Sequence, residues 1–185
     1  TILVLIYITI AFTFRSFSQP LMLLLLVPFS LTAVAWGHWI HDFPVNILSM
    51  LGIIALIGIM VNDGLVLIGK FNSNLREGMS FEDALFDAGK SRFRAIFLTS
   101  VTTIAGLAPL MLETSRQAQF LKPMAISIAY GIAFATVLTL VVLPIFLSFS
   151  NTLKVSTKWL ETGNKVSKEE VERTIKEQKE QEHNF

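Results

Sequence analysis

Long apolar stretches separated by short polar breaks organise this chain. Thr1 to Phe14 is apolar from its first residue, and Pro20 to Ile40 carries no formal charge, with His38 near its end. Phe43 to Gly69 is interrupted by the strongly polar Asn46, Asn62 and Asp63. Ala95 to Leu112 supplies about 18 residues, the minimum for a membrane span. Pro123 to Leu153 is longer than a span needs, so it tilts or leaves the bilayer before Leu153. Lipid cannot satisfy an open backbone, and these patterns show no closed barrel, so each stretch is read as helix. The predicted fold class is therefore all-α, a polytopic transmembrane helix bundle. Thr1 to Phe14 rises only about 21 Å, short of a hydrocarbon core of about 30 Å. No Met or basic segment precedes it as a signal peptide would require. It is read as the second half of a spanning helix, and the chain as a piece of a longer protein. One truncated span and four full spans occupy residues 1–153, and a charged tail occupies residues 154–185.

Composition supports that division. The 185 residues are 52% hydrophobic and 16% charged, with mean hydropathy +0.60, against about 25% charge for an ordinary soluble domain. A net charge of +1 offers no electrostatic footprint for nucleic acid. The absence of cysteine excludes disulfides, thiolate metal sites and a cysteine nucleophile. No glycine-rich phosphate loop, Ser/His/Asp set or metal-ligand cluster stands in the sequence, so the chain is not read as an enzyme and no cofactor is expected. Any work it performs draws on an ion gradient, where one charge crossing 100 mV supplies about 2.3 kcal/mol. His38 and His41 stand three apart beside Asp42; that spacing can hold a metal, but a lone pair at an interface is not taken as a site.

Lys and Arg set the orientation. Arg15 follows the first stretch, and none lies between the second and third. Lys70, Arg76, Lys90, Arg92 and Arg94 lie between the third and fourth. Only Arg116 and Lys122 separate the fourth from the fifth, whereas Lys154, Lys158, Lys165, Lys168, Arg173, Lys176 and Lys179 follow it. The alternation places the Arg15 turn, the Lys70–Arg94 loop and the tail in the cytoplasm. Within that loop, Ser80-Phe-Glu-Asp83 resembles a capping box. Phe81, Ala84, Leu85 and Ala88 form an apolar stripe, predicting a short connector helix along the lipid headgroups. In the tail, Ser167-Lys-Glu-Glu170 is a second cap, followed by Val171 and Ile175 in a mixed-charge helix. Its charges nearly balance, so it is read as a solvated appendage and given no function.

Asp63 is the residue with chemistry to offer. It lies seven residues inward from Lys70, about 10 Å along a helix and too deep for its short side chain to snorkel. An intramembrane carboxylate costs at least about 2.5–3.5 kcal/mol and should face protein or a water-filled cavity. Low dielectric raises a carboxyl pKa and a nearby cation lowers it. A carboxyl balanced between the two can load and release protons; the other reading is a permanently protonated Asp that joins helices. Thr99 lies seven residues inward from Arg92, the same depth as Asp63. If the two antiparallel helices touch, Thr99 is level with Asp63 and Arg92 guards the cytoplasmic mouth. Thr99, Ser100, Thr102 and Thr103 can bond a neighbouring helix, can hold a water file, or can simply bond their own i−4 carbonyls. Asn62 can donate to a carboxylate or serve as a helix–helix hydrogen bond. Gly52, Gly58, Gly64 and Gly69 point to close helix packing, and Pro28, Pro109 and Pro144 to kinks.

Several motifs, in order, resemble the resistance-nodulation-division (RND) efflux permeases. They are Phe14-Arg-Ser-Phe17 with Gln19-Pro20, and the run from Ser49 to Leu67 containing Val-Asn-Asp-Gly. Arg92-Phe-Arg94, Leu98-Thr-Ser100 and Gly106-Leu-Ala-Pro-Leu110 complete the set. The likeness covers Thr1 to about Leu153 and implies the last five helices of the second half, the first of them cut. It also implies a homotrimeric proton antiporter of the inner membrane, exporting small molecules as multidrug-resistance pumps do. The partners it implies are the missing first half, a periplasmic adaptor, an outer-membrane channel and membrane lipids. In that family a proton relay pairs first-half acids with Lys, Arg and Thr from the second half. Arg92 and Thr99 match the Arg and Thr positions. Asn62 stands where the Lys is expected, and Asp63 where a neutral residue is usual, which implies a relay with an acid of its own in this half. The expected relay set is Asp63, Asn62, Thr99 and Arg92. Two other readings remain open: an RND-superfamily protein-export auxiliary, and a non-transporting membrane sensor or scaffold.

Overall fold

The computed structural model describes residues 7, 8, 11, 18–162 and 167–183. The truncated first span and the Phe14-Arg-Ser-Phe17 motif fall almost wholly outside these. Among the described residues, four helices are long and apolar enough to cross a membrane. They are α1 (Ser18–Ile40), α2 (Ile47–Arg76), α3 (Phe81–Leu112), and a long composite of α4 (Arg116–Val137), a π turn (Leu138–Val142) and α5 (Leu143–Thr162). A last helix, α6 (Arg173–His183), closes the chain. No strand occurs among the described residues.

Polar residues at the breaks set where these helices begin. Asn46, expected inside a span, instead caps α2: its Oδ1 accepts from Ser49 N at 3.0 Å, and Ser49 Oγ accepts from Asn46 N at 3.2 Å. The helix therefore starts at Ile47, and it runs past Gly69 to Arg76. Its far end is amphipathic rather than frayed, with Phe71 and Leu75 sealed in the core. A glycine-closed turn ends it: Gly78 has φ +87°, with Gly78 N donating to Leu75 O and Met79 N to Asn74 O. That left-handed position suits a residue without Cβ. Ser80 then caps α3, accepting from Asp83 N at 3.2 Å, and Ser115 caps α4, accepting from Ala118 N at 3.3 Å.

The connector helix expected along the headgroups is not separate. Residues 81–112 form one unbroken helix, and Gly89, which lies between the stripe and the span, does not interrupt it. Phe81, Ala84 and Ala88 are buried, and Phe81 meets Phe71 of α2 edge to face, with ring centroids 5.3 Å apart. Pro144 sits just after the π turn, where Leu143 N donates to Leu138 O. A proline cannot donate to the carbonyl four residues back and crowds it; the wider turn is where the composite helix absorbs that defect.

At the centre lies α4, packed against α1, α2 and α3. Its small residues Ala125, Ala129, Gly131 and Ala135 are buried and let neighbours approach closely. On α2, a Cβ added at Gly52 would come 2.7 Å from the Met124 backbone carbonyl. Gly58, expected to serve the same purpose, is exposed with open space beside it.

The tail is docked rather than a solvated appendage. Its helix begins at Arg173, later than the Ser167 cap predicts, and residues 167–172 form turns laid on the bundle. Val171 is buried and Ile175 packs against the main core. These two apolar residues, with anchored Glu169 and Glu172, outweigh the solvated charges around them.

Candidate functional site

Asp63 lies in the middle of α2, half-buried. The next residue, Gly64, is buried so closely under Leu23 of α1 that a Cβ there would collide with it. The preceding residue, Asn62, is exposed. Asp63 thus sits at the boundary between the packed and open faces of α2. No Lys, Arg or His forms an ion pair with it among the described residues.

Arg92 and Thr99 are both on α3. Seven residues apart, they fall on nearly the same side of a helix and about 10 Å apart along it. Thr99 is exposed, and its hydroxyl donates to Ala95 O at 2.8 Å. Arg92 is half-buried, and its Nε is sealed without a hydrogen-bond partner. No hydrogen bond or ion pair joins Asp63 to either. The structure therefore brings Asn62 and Asp63 together, and it sets Arg92 and Thr99 on one face of a neighbouring helix without closing the set.

The hydroxyl cluster divides in the same way. Thr102 and Thr103 bond carbonyls of their own helix, at Leu98 O (2.9 Å) and Thr99 O (2.8 Å). Ser100 points inward and crosses to Thr136 Oγ1 of α4 at 2.5 Å. Of the roles open to the cluster, bonding a neighbouring helix falls to Ser100, which stands about a hundred degrees round the helix from Thr99 and so faces elsewhere.

At the opposite end of the bundle, the two histidines do not converge on a metal site. His38 Nε2 meets Ser127 Oγ at 2.9 Å and His38 Nδ1 meets Phe43 O at 3.1 Å, while His41 Nε2 meets Tyr130 OH at 3.1 Å. Both rings are spent on tying the α1–α2 turn to α4.

Residues 1–150 match the AcrB/AcrD/AcrF family. The cobalt-zinc-cadmium resistance protein CzcA of Cupriavidus metallidurans is 31% identical over 77% of this chain and 14% of its own length. The multidrug resistance protein MdtC of Erwinia tasmaniensis is 26% identical over 86% of this chain and 16% of its own. Among solved structures, a heavy metal efflux pump superposes with a TM-score of 0.73 at 25% identity, covering 81% of this chain and 15% of that one. The chain thus spans about one-seventh of the length of these relatives. With four long apolar helices and a family match over residues 1–150, this chain belongs to the AcrB/AcrD/AcrF family of RND permeases.

Proposed function

We propose that this chain is part of the membrane domain of a proton-driven exporter of small molecules in the inner membrane, with its tail in the cytoplasm. Asp63 is the group that takes up and releases the proton. The observation that carries this reading is a half-buried carboxylate in the middle of an apolar span, with no cation paired to it among the described residues. Holding a charge there costs at least about 2.5–3.5 kcal/mol. Protonation removes that cost, and deprotonation restores it, so proton occupancy and the surroundings of α2 are coupled. Asn62, its neighbour in the chain, supplies an amide beside the carboxylate. Arg92, with an unmet buried Nε–H, supplies positive charge near one mouth, and Thr99 supplies a hydroxyl at the depth of Asp63. The remaining members of the relay come from the first half of the permease. Homotrimer formation, a periplasmic adaptor and an outer-membrane channel follow from the family and belong to the same proposal. Membership supports export over an auxiliary or sensor role, because CzcA and MdtC are named for resistance.

The test is Asp63→Asn in the complete permease, reconstituted in vesicles with an imposed proton gradient. Export should fall to background while trimer formation and thermal stability stay at parental levels. Parental export by this variant would overturn the assignment.

A further inference from the structure

The family-matched segment ends at residue 150, and the next residue begins a set of contacts that the transport reading does not use. Asn151 of α5 is buried and spends both hydrogens of its amide on the tail: Nδ2 donates to Lys168 O at 2.7 Å and to Glu172 Oε1 at 2.8 Å. Lys154, one turn on, reaches the same Glu172 carboxylate at 3.2 Å, and the Glu172 side chain is only 7% exposed. Three residues before Glu172, Glu169 Oε1 accepts from the backbone N–H of Phe81 at 2.8 Å. That is the first amide of α3, one of the four that an α-helix leaves unmet. Lys168 also pairs with Glu82, but both side chains are at least half exposed, and such pairs contribute little. Between the two anchors Val171 is buried, and beyond them Ile175 lies against the core with α6 alongside α2.

The tail is therefore bonded at two points, on α5 through Asn151 and Lys154 and on α3 through Phe81. We propose that residues 167–183 form an intramolecular strap that holds the start of α3 against α5 and α2, and so limits movement of the helix carrying Arg92 and Thr99. The strap acts where α3 most needs it. The membrane part of α3 is sparsely packed within this chain, with Ile96 and Ser100 its buried residues, so its firm attachments are at the end the strap holds. Deleting the strap leaves the Phe81 amide and the Asn151 amide without acceptors and opens the pocket of Val171. Each consequence loosens the same corner.

The functional half of this proposal rests on the transport reading; the docking half does not, and the experiment separates them. In the complete permease, Glu169→Ala combined with Glu172→Ala is compared with the parent by hydrogen–deuterium exchange and by proton leak into vesicles without cargo. The milder pair Glu169→Gln and Glu172→Gln keeps side-chain shape if the first variant folds poorly. Exchange in residues 81–90 should rise about tenfold, with residues 18–40 unchanged as the internal control, and cargo-free proton leak should rise severalfold. Unchanged exchange at 81–90 in both variants would overturn the strap. Faster exchange with unchanged leak would overturn its restraint on α3. A parent that shows no proton-coupled flux at all would defeat the transport reading while leaving the exchange result standing.

Discussion

The two helices that carry the candidate site, α2 and α3, are of similar length and are both apolar, yet they pack very differently. In the span of α2, 44% of residues are buried within this chain; in that of α3, only 11% are. Leu56, Met60, Leu67 and Ile68 of α2 are sealed in the core, whereas Phe93, Phe97, Leu98 and Val101 of α3 are exposed. In lipid no hydrophobic force separates these outcomes, because a tail is as apolar as leucine; close fit and polar bonds decide which faces meet. The small residues that permit close fit are on α2 and α4. The open face of α3 holds Thr99 and the partly covered Arg92, two members of the relay proposed above.

Glycine substitutions give the largest effects with which to break this comparison. Gly52→Ala places a methyl against the Met124 carbonyl, a backbone atom that cannot step aside, and overpacking of this kind costs about 1–3 kcal/mol. Gly106→Ala on α3 meets nothing within 4 Å in this chain, and loss of a mid-helix glycine gains at most about 1 kcal/mol. Thermal unfolding of the complete permease should therefore show a clear drop for the first variant and none for the second. An equal drop for Gly106→Ala would mean that a helix from outside this chain sits as tightly on α3 as α4 sits on α2.

How much of this was legible in the sequence follows the same divide. Four spans were readable from hydropathy because lipid imposes one requirement on every residue of a span. Their ends were less so, since Asn46 looks the same as an intramembrane amide and as a helix cap until Ser49 is seen to reciprocate. The tail was misjudged because near-balanced charge says nothing about whether particular carboxylates find particular amides, as Glu169 finds Phe81 from 88 positions away. At the site, depth alone paired Asp63 with Thr99, and depth is a one-dimensional quantity. Rotation about the helix axis, which separates Thr99 from Ser100, is what decides which hydroxyl meets a neighbour.

That rotation yields a sharper and smaller test. Ser100 and Thr136 have two hydroxyl protons for three short contacts: to each other, to Ile96 O and to Ile132 O. The interhelical contact is bonded when one hydroxyl gives up its own carbonyl, and Ser100→Ala removes that bond, worth about 0.6–1.7 kcal/mol in membrane proteins. Thr99→Ala removes only a bond to its own helix. Stability should fall for Ser100→Ala with gradient-driven export nearly retained, and the reverse should hold for Thr99→Ala. Loss of export in both, with equal destabilisation, would erase the distinction between a packing face and a working face on α3.

The smallest effect concerns the one end of α3 that is well held. The Phe81 amide, by donating to Glu169, holds that carboxyl below the usual glutamate value of 4.5, with burial opposing and neighbouring groups assisting. Glu170 is lowered too, by Lys179, which donates to it within the tail itself. A carboxyl whose pKa is lower when docked favours docking in its charged form, so its contribution is complete above about pH 4.5 and fades as pH falls through the docked value. Protection of the Phe81 amide, corrected for intrinsic exchange, should therefore stay level from pH 8 to pH 5 and decline only below that. The amides of Leu67 and Ile68 in α2, with no titrating acceptor, should keep theirs. A loss of Phe81 protection between pH 7 and pH 6 would assign the hold on α3 to some group other than Glu169. It would also make the strap responsive to pH near neutrality, which a carboxyl lowered in this way does not permit.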